Sequence, residues 1–565
     1  MIFLFFLSAF FFFSCGGAEE KIREEALSPD LPESEEAGNV LCKEKSFYYQ
    51  KPALPEKVEE KFFQKYRNGE VCSELPEPQN GFLFLGEGCF SGCLKVDKNL
   101  KIIGVGSGKS EIYCGDEKKD GVIELSPYST LILENISLSG ASRCIFGENG
   151  SVVNIKNSVL SNCSKGGIML CHDEIGCYNE LFIEDSFVGD IKEAVNGVSY
   201  GISFGNGILS ISNSEIGGVN SFAVAIWGEE GKTSDVNIEN SIISGVYGGL
   251  RSYEGHCIYG EEVQNMTIRN SEISDCAASF VFVSSEKNDT DLHLVDFTAQ
   301  NILETGEEQG GIVLDGNIKA DFERVLIEKS RGNGIFLRNS KIYSEDLTIE
   351  SVFSDGLGDN GFGLQIVDGT EGFFKRFFLK SAEKAGVILD GNTNAEIEDF
   401  EIISTKSDGY TKEFGVGAGL QNGSSLILKN GLMNDNRESG ILVIGSEISL
   451  ENVEIKNTKG RECSEEHKCL FAPDSDFGHG ISLYSGSSLY FNSLSIFNNN
   501  NALNIENSEV FGFGEKRVFF GLNTTAVNAW NISDLNKLEE NLSNSEFCGN
   551  ESVLTTDHQP VRESF

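Results

Sequence analysis

The sequence predicts an all-β solenoid, one long parallel β-helix. Three observations carry that expectation. A short phrase of strand, Asn or Asp turn and strand returns along most of the chain. A second phrase, glycine entering an apolar strand, alternates with it. Between the phrases the 3.6-residue period of an amphipathic helix is missing.

The first phrase reads LILENISLSG, VVNIKNSVLSN, ILSISNSEIGG, VNIENSIISG, MTIRNSEISD, LILKNGLMND and SLENVEIKN. Asn157, Asn213, Asn240, Asn270, Asn430 and Asn452 hold equivalent places. Asparagine tolerates the left-handed backbone better than other non-glycine residues, so each is expected at a tight bend. Stacked copies can also bond amide to amide. The second phrase reads GGIML, YGISF, GGIVL, NGIFL, AGVIL, SGILV and HGISL, taken as a glycine turn before a strand. One apolar marker from each repeat gives Ile168, Ile202, Val224, Ile258, Val281, Ile312, Ile335, Phe362, Val387, Ala418, Ile441, Ile481 and Leu503. The shorter gaps, about 22 to 25 residues with three short strands each, match one coil of a parallel β-helix.

With these phrases the chain from about 80 to 515 resembles the right-handed parallel β-helix proteins of the pectin-lyase-like superfamily. GFLFLGEGCFSGCLKVDKNLKIIGVGSGKSEIYCG, Gly81 to Gly115, resembles their first coils. The same stretch tempts a phosphate-loop reading at Gly108-Lys109-Ser110. A Walker loop needs its first glycine at 103, where Ile103 stands, and a β-type run rather than a helix follows. Gly104, Gly106 and Gly108 are therefore expected to form a coil corner, with Lys109 in solvent.

The ends read differently. Met1 to Phe13 is apolar but short for a bilayer span, and Ser14-Cys15-Gly16-Gly17 resembles a bacterial lipoprotein cleavage site. Residues 1–15 are expected to be an export signal with Cys15 lipidated. Residues 16–80 are expected to be an acidic tether and N-terminal cap, with a short amphipathic helix over 56–69. Residues 81–515 are the expected β-helix, and 516–565 a C-terminal cap or tail. The expected location is the cell envelope, at the outer membrane or cell surface, with membrane contact only through the lipid. A monomer is expected.

The chain of 565 residues carries 45 basic and 87 acidic residues, a net charge of −42. That excludes nucleic acid as a partner, since its phosphates are repelled. Setting Cys15 aside leaves 14 of 15 cysteines, an even number that predicts disulfides in an exported chain. Cys144 with Cys163, and Cys257 with Cys276, stand about one coil apart, within reach of one strand spacing of about 4.8 Å. Cys171–Cys177 and Cys463–Cys469 are expected as local loops.

The resemblance implies specific catalytic motifs. The superfamily's pectate lyases imply an R-x-P-x-x-R arrangement, and no such string occurs. Its polygalacturonases imply N-T-D, D-D, G-H-G and R-I-K strings. Only Gly478-His479-Gly480 is present, with Asp474 and Asp476 nearby. GHGISL also fits the repeat register of RGNGIFL, so His479 is accounted for by a structural turn. No cofactor is expected, and calcium has no EF-hand or RTX-type loop to hold it.

Strand faces mostly show Ser, Asn, Thr and Glu, which favours a non-enzymatic scaffold over a polysaccharide lyase or glycoside hydrolase. The extra residues of long coils fall at one register: Asp190–Tyr200, Val246–His256, Leu303–Gly310, Val352–Gly361, Thr405–Gly417 and Asn457–His479. An insertion repeated in register projects as a ridge, and loops on a rigid scaffold often carry binding residues. The ridge candidates are Arg251, Tyr253, His256, Tyr410, Arg461, His467 and His479, facing a polysaccharide or a surface protein.

Overall fold

A computed structural model describes residues 72–171, 177–191, 198–248, 254–303, 310–354, 360–409, 414–461, 477–514, 517–532 and 535–555. Their 43 strands form a solenoid of parallel ladders, each coil supplying up to three strands. The first face starts at Leu94–Val96 and Gly121–Leu125 and ends at Ser552–Thr555. The second starts at Phe82–Phe84 and Asn99–Ile103, and the third at Ser73–Glu74 and Gly88–Ser91. From Asn265–Cys276 onward the second and third strands of most coils run together through a single bent residue.

Alternation of apolar and polar residues builds the interior. On the first face Ile123, Ile145, Ile168, Ile202 and Val224 stack one above another. All are fully buried. Each such aliphatic side chain contributes about 1.5–3 kcal/mol relative to exposure. The column continues to Ile481, Leu503 and Val527. One marker was out of register. Leu364, not Phe362, stands opposite Ile335 and Val387, two residues further along the same strand.

The bends are as the asparagines predict. Asn157, Asn213, Asn240, Asn270, Asn430 and Asn452 all have φ between 46° and 57°. The Asn270 amide donates to Asn240 and the Asn452 amide to Asn430, the latter at 3.0 Å. The glycine phrase needs correcting. Gly334, Gly363, Gly386, Gly417 and Gly440 do not take positive φ; all five lie inside first-face strands. Their role is close approach: a Cβ at Gly386 would meet the Gly417 carbonyl oxygen at 2.5 Å. Gly106 and Gly108, by contrast, do turn a corner, with φ of 159° and 78°, and Lys109 is exposed.

The coil also outruns the expected 81–515 boundaries. Ser73–Glu74 already pairs in parallel with Phe90–Ser91. At the other end Val518–Gly521, Thr525–Trp530, Ser545–Cys548 and Ser552–Thr555 extend the ladders. The one α-helix among the described residues, Leu535–Asn541, interrupts those last coils. The helix expected over 56–69 lies outside the described residues.

Cys144–Cys163, Cys171–Cys177 and Cys257–Cys276 are bonded, with Cα separations of 5.6, 6.2 and 5.6 Å. Cys72–Cys89 and Cys93–Cys114 join them in the first coils, and Cys548 is also disulfide-bonded. Such bonding belongs to an oxidising, extracytoplasmic compartment. Among the described residues no helix is long and apolar enough to cross a membrane.

Candidate functional site

Of the residues expected on the ridge or in catalysis, Arg251, Tyr253, Tyr410, His467, Asp474 and Asp476 lie outside the described residues. So do Cys15, Cys463 and Cys469. The three that are described are not solvent-facing. His256, Arg461 and His479 are 1%, 4% and 1% exposed. His256 opens a first-face strand with its ring 5.9 Å from Phe222 and 5.0 Å from Phe282. His479 holds the same position opposite Ser439, 6.4 Å from the Phe477 ring. The Arg461 Nε donates to Glu438 at 2.9 Å, and its guanidinium lies 3.7 Å over Phe477. A long polar side chain entering the first face is thus packed against its neighbours, which removes these three from a surface site.

The structure gathers a different set on the second face. Pairing aligns Thr267, His293, Asp321, Tyr343 and Phe373 in one outward column. Arg269, Val295, Glu323, Glu345 and Lys375 form the next column, two residues along each strand. Side chains two apart on a strand share a face, so the set is built by register alone. It surrounds a shallow depression of about 500 Å³ lined by Thr267, Arg269, His293, Asp321, Tyr343 and Glu345, among others.

The depression is charged and aromatic together. His293 Nδ1 lies 3.3 Å from Asp321 Oδ2. Tyr343 is 44% exposed and stacks on Phe373 at 5.3 Å with 7° between rings. Glu345 is held at 2.6 Å by Arg376, and Glu323 is bonded by Arg324. Arg324 and Arg376 occupy the bend that asparagine takes elsewhere, with φ of 53° at both. Arg324 grips Asp296 through two nitrogens, and Arg376 grips Asp346 likewise at 2.6 and 2.8 Å. Hydrogen bonding from Arg324 holds the Asp296 carboxyl below its ordinary range, against the opposing effect of burial. The hydrogen bonds to Asp296 and Asp346 raise both guanidiniums further. These fixed pairs brace the floor beside the depression. A second hollow of about 660 Å³ lies at the turn into the same coils, lined by Asp315, Asn317, Arg338 and Lys341 among others.

An exposed tyrosine flanked by carboxylates, an imidazole and a guanidinium can pack on an apolar ligand face and bond its hydroxyls. Composition averaged over all strands hides this set, because among the described residues only the coils from Thr267 to Lys375 carry it. Aligning the repeats by their bends and reading down HLV, DFE, YSE and FFK exposes it.

The family described as "Right handed beta helix region" matches residues 310–492. The parallel ladders make the described chain a β-helix, and the matched family gives it the right-handed sense over 310–492. No curated protein sequence matches the chain. Solved structures similar in fold include the pectate lyase Pel9A, at 8% identity, covering 52% of this chain and 70% of that one, with a TM-score of 0.29. The catalytic unit of a thermostable GH87 α-1,3-glucanase from Streptomyces thermodiastaticus strain HF3-3 is 10% identical. It covers 86% of this chain and 66% of that one, at a TM-score of 0.23. The periplasmic alginate epimerase AlgG is 11% identical, over 84% and 85%, at 0.23.

Proposed function

We propose that this protein is an exported, surface-anchored β-helix scaffold that binds a polysaccharide on its second face. The observation that carries the reading is the exposed Tyr343, backed by the half-buried Phe373 ring, beside His293, Asp321 and Arg269. An aromatic face takes up the C–H face of a sugar ring while neighbouring polar groups take its hydroxyls. The net charge of −42 disfavours an acidic chain and favours an uncharged one. Cys15, by this reading, carries the lipid that holds the scaffold to the membrane.

A glycan array probed with the purified ectodomain tests the binding. Tyr343→Ala should abolish the signal that the parent protein gives. A variant lacking 462–476 separates this face from the insertion ridge: binding retained supports the face, and binding lost in a folded variant supports the ridge. Replacing Cys15 by Ser and fractionating cells tests the anchor, and an unchanged membrane fraction removes it.

The contact of His293 with Asp321, beside Glu323 and Glu345, favours a second reading as a polysaccharide lyase or glycoside hydrolase. Paired carboxyl groups near an imidazole supply acid and base. Release of new reducing ends from the glycan bound on the array would establish this reading over the scaffold.

A further inference from the structure

Large apolar side chains are exposed at the first coils, where the second face begins. Phe82 and Phe84, two apart on one strand, both point outward and are 47% and 69% exposed. Their rings lie nearly parallel, with 4° between planes and centroids 6.1 Å apart. They are not an unfilled end of the core, because the inward residues beside them, Leu83 and Leu85, are buried. The corner of the next coil adds Val105, also exposed. Val105 is tied to the same edge. Its N–H donates to the Ser110 hydroxyl, which donates to the Gly86 carbonyl at 2.7 Å. Single exposed apolar residues occur on any surface, but three on one braced edge make a patch.

The charge around this patch is unlike that of the chain. Residues 81–109 hold Lys95, Lys98, Lys101 and Lys109 against Glu87 and Asp97, in a protein of net charge −42. Lys101 stands opposite Phe82 in the register and is bonded to Glu134 at 2.8 Å. Lys95 lies 4.0 Å from Asp97. Lys98 precedes the strand that pairs with Phe82–Phe84, and Lys109 stands at the corner of Val105; both are exposed. An uncharged ligand would leave the lysines without a role, and a second copy docked patch to patch would set lysine against lysine. Aromatic rings among lysines fit the boundary of a bilayer. The rings enter between headgroup and acyl chain, and the ammonium groups meet the phosphates.

We propose that this first-coil patch rests on an anionic lipid surface. The contact depends neither on a lipid at Cys15 nor on glycan binding. Only the first coils approach the surface. Later coils follow at about 4.8 Å each, so two or three coils carry the acidic bulk beyond a Debye length of about 8 Å.

The ectodomain, which holds every described residue and no lipid, is mixed with two kinds of vesicle. One is phosphatidylcholine alone, the other phosphatidylcholine and phosphatidylglycerol in equal parts. Sedimentation should find the protein on the mixed vesicles only, and less of it as salt rises. A Phe84→Trp variant should shift its emission to shorter wavelength on them, while the parent, with Trp227 and Trp530 alone, should not. Lys98→Gln/Lys109→Gln should weaken binding about 25-fold, at about 5-fold per lysine. Phe82→Ser/Phe84→Ser should abolish it, with hydrogen exchange over 121–170 showing the neighbouring coils intact. Equal binding to both vesicles, or none to either, overturns the proposal. So does protection over 81–109 that rises with protein concentration in the absence of vesicles, which assigns the patch to a second copy.

Discussion

Two stretches of the same solenoid make the same bend with different chemistry. In the coils from Asn157 to Ser271 the bent residue is Asn or Asp and the next residue is a buried serine. Ser158, Ser186, Ser214, Ser241 and Ser271 stack inside the wall. Each hydroxyl donates to the carbonyl two residues back, and from Ser186 on each accepts the backbone N–H of the serine one coil earlier, as Ser241 does for Ser214 at 3.2 Å. In the coils from Asp296 to Phe400 the bent residues are Asp296, Arg324, Asp346, Arg376 and Asp399. The residues after them are Phe297, Val325, Leu347, Phe377 and Phe400, all fully buried. One stretch holds its corner with hydrogen bonds, the other with apolar volume inside and ion pairs outside. The candidate site straddles the step where serine gives way to phenylalanine, with Thr267 and Arg269 on the Ser271 coil and the rest beyond it. A corner that no longer depends on Asn and Ser frees its outward surface for charge.

The magnitudes rank the two designs. Burying a phenylalanine outweighs an exposed ion pair, which contributes about 0–1 kcal/mol. Phe400→Ala is therefore expected to cost the most, about 3–5 kcal/mol, read as lost hydrogen-exchange protection over 394–434. The nearest-neighbour character of a stacked solenoid should confine that loss to adjacent coils. Reduction should strike the other stretch. Cys144–Cys163 and Cys257–Cys276 frame the serine coils, and a Cys144→Ser/Cys163→Ser double variant should lose about 3 kcal/mol there while the phenylalanine coils keep their protection. Equal loosening of both would erase the distinction.

Two smaller effects sharpen it. Ser241→Ala leaves the buried Ser214 N–H without its acceptor and should cost about 1–3 kcal/mol in denaturant melts. Gly431→Ala places a Cβ 2.2 Å from the Phe400 ring, so it should cost about 1–3 kcal/mol, and less in a Phe400→Leu background. The smallest effect is acid. The folded Asp296 carboxyl is lowered, so its contribution is full above the unfolded value near 3.9 and lost as pH falls through the folded value. The pair is partly solvent-screened, so Arg324→Gln should flatten a slight acid loss confined to these coils. Exchange measured at pH 5 and pH 3 checks it.

The fold was legible because bends recur at Asn, and the Asn conformation is local. Inward and outward columns were less so. They depend on a period of two, and a count carried across an insertion can lose its place, as it did by two residues at Phe362. Arg324 and Arg376 at left-handed bends could not be read, since their conformation is held by Asp296 and Asp346 one coil away rather than by any preference of arginine. Cys72–Cys89 and Cys93–Cys114 stand 17 and 21 residues apart, close to the 19 that marked the other coil-spanning pairs, so spacing alone could have suggested them. His256, Arg461 and His479 misled because a polar residue beside an insertion looks exposed until its neighbours are known. The second-face cluster needed all its columns aligned before it became visible.

The glycine column of the first face bears on how such a chain can vary over generations. Gly334 faces the carbonyl of Gly363, Gly363 that of Gly386, Gly386 that of Gly417 and Gly417 that of Gly440. What each position tolerates is thus decided by the coil stacked on it. A duplicated coil carries its own glycine and lands on another, so copying a whole coil preserves every such contact. An insertion inside the strand breaks one above and one below. Heritable length change is consequently filtered into whole-coil increments, and the reach of the outer surface along the axis can be lengthened or shortened only in that unit.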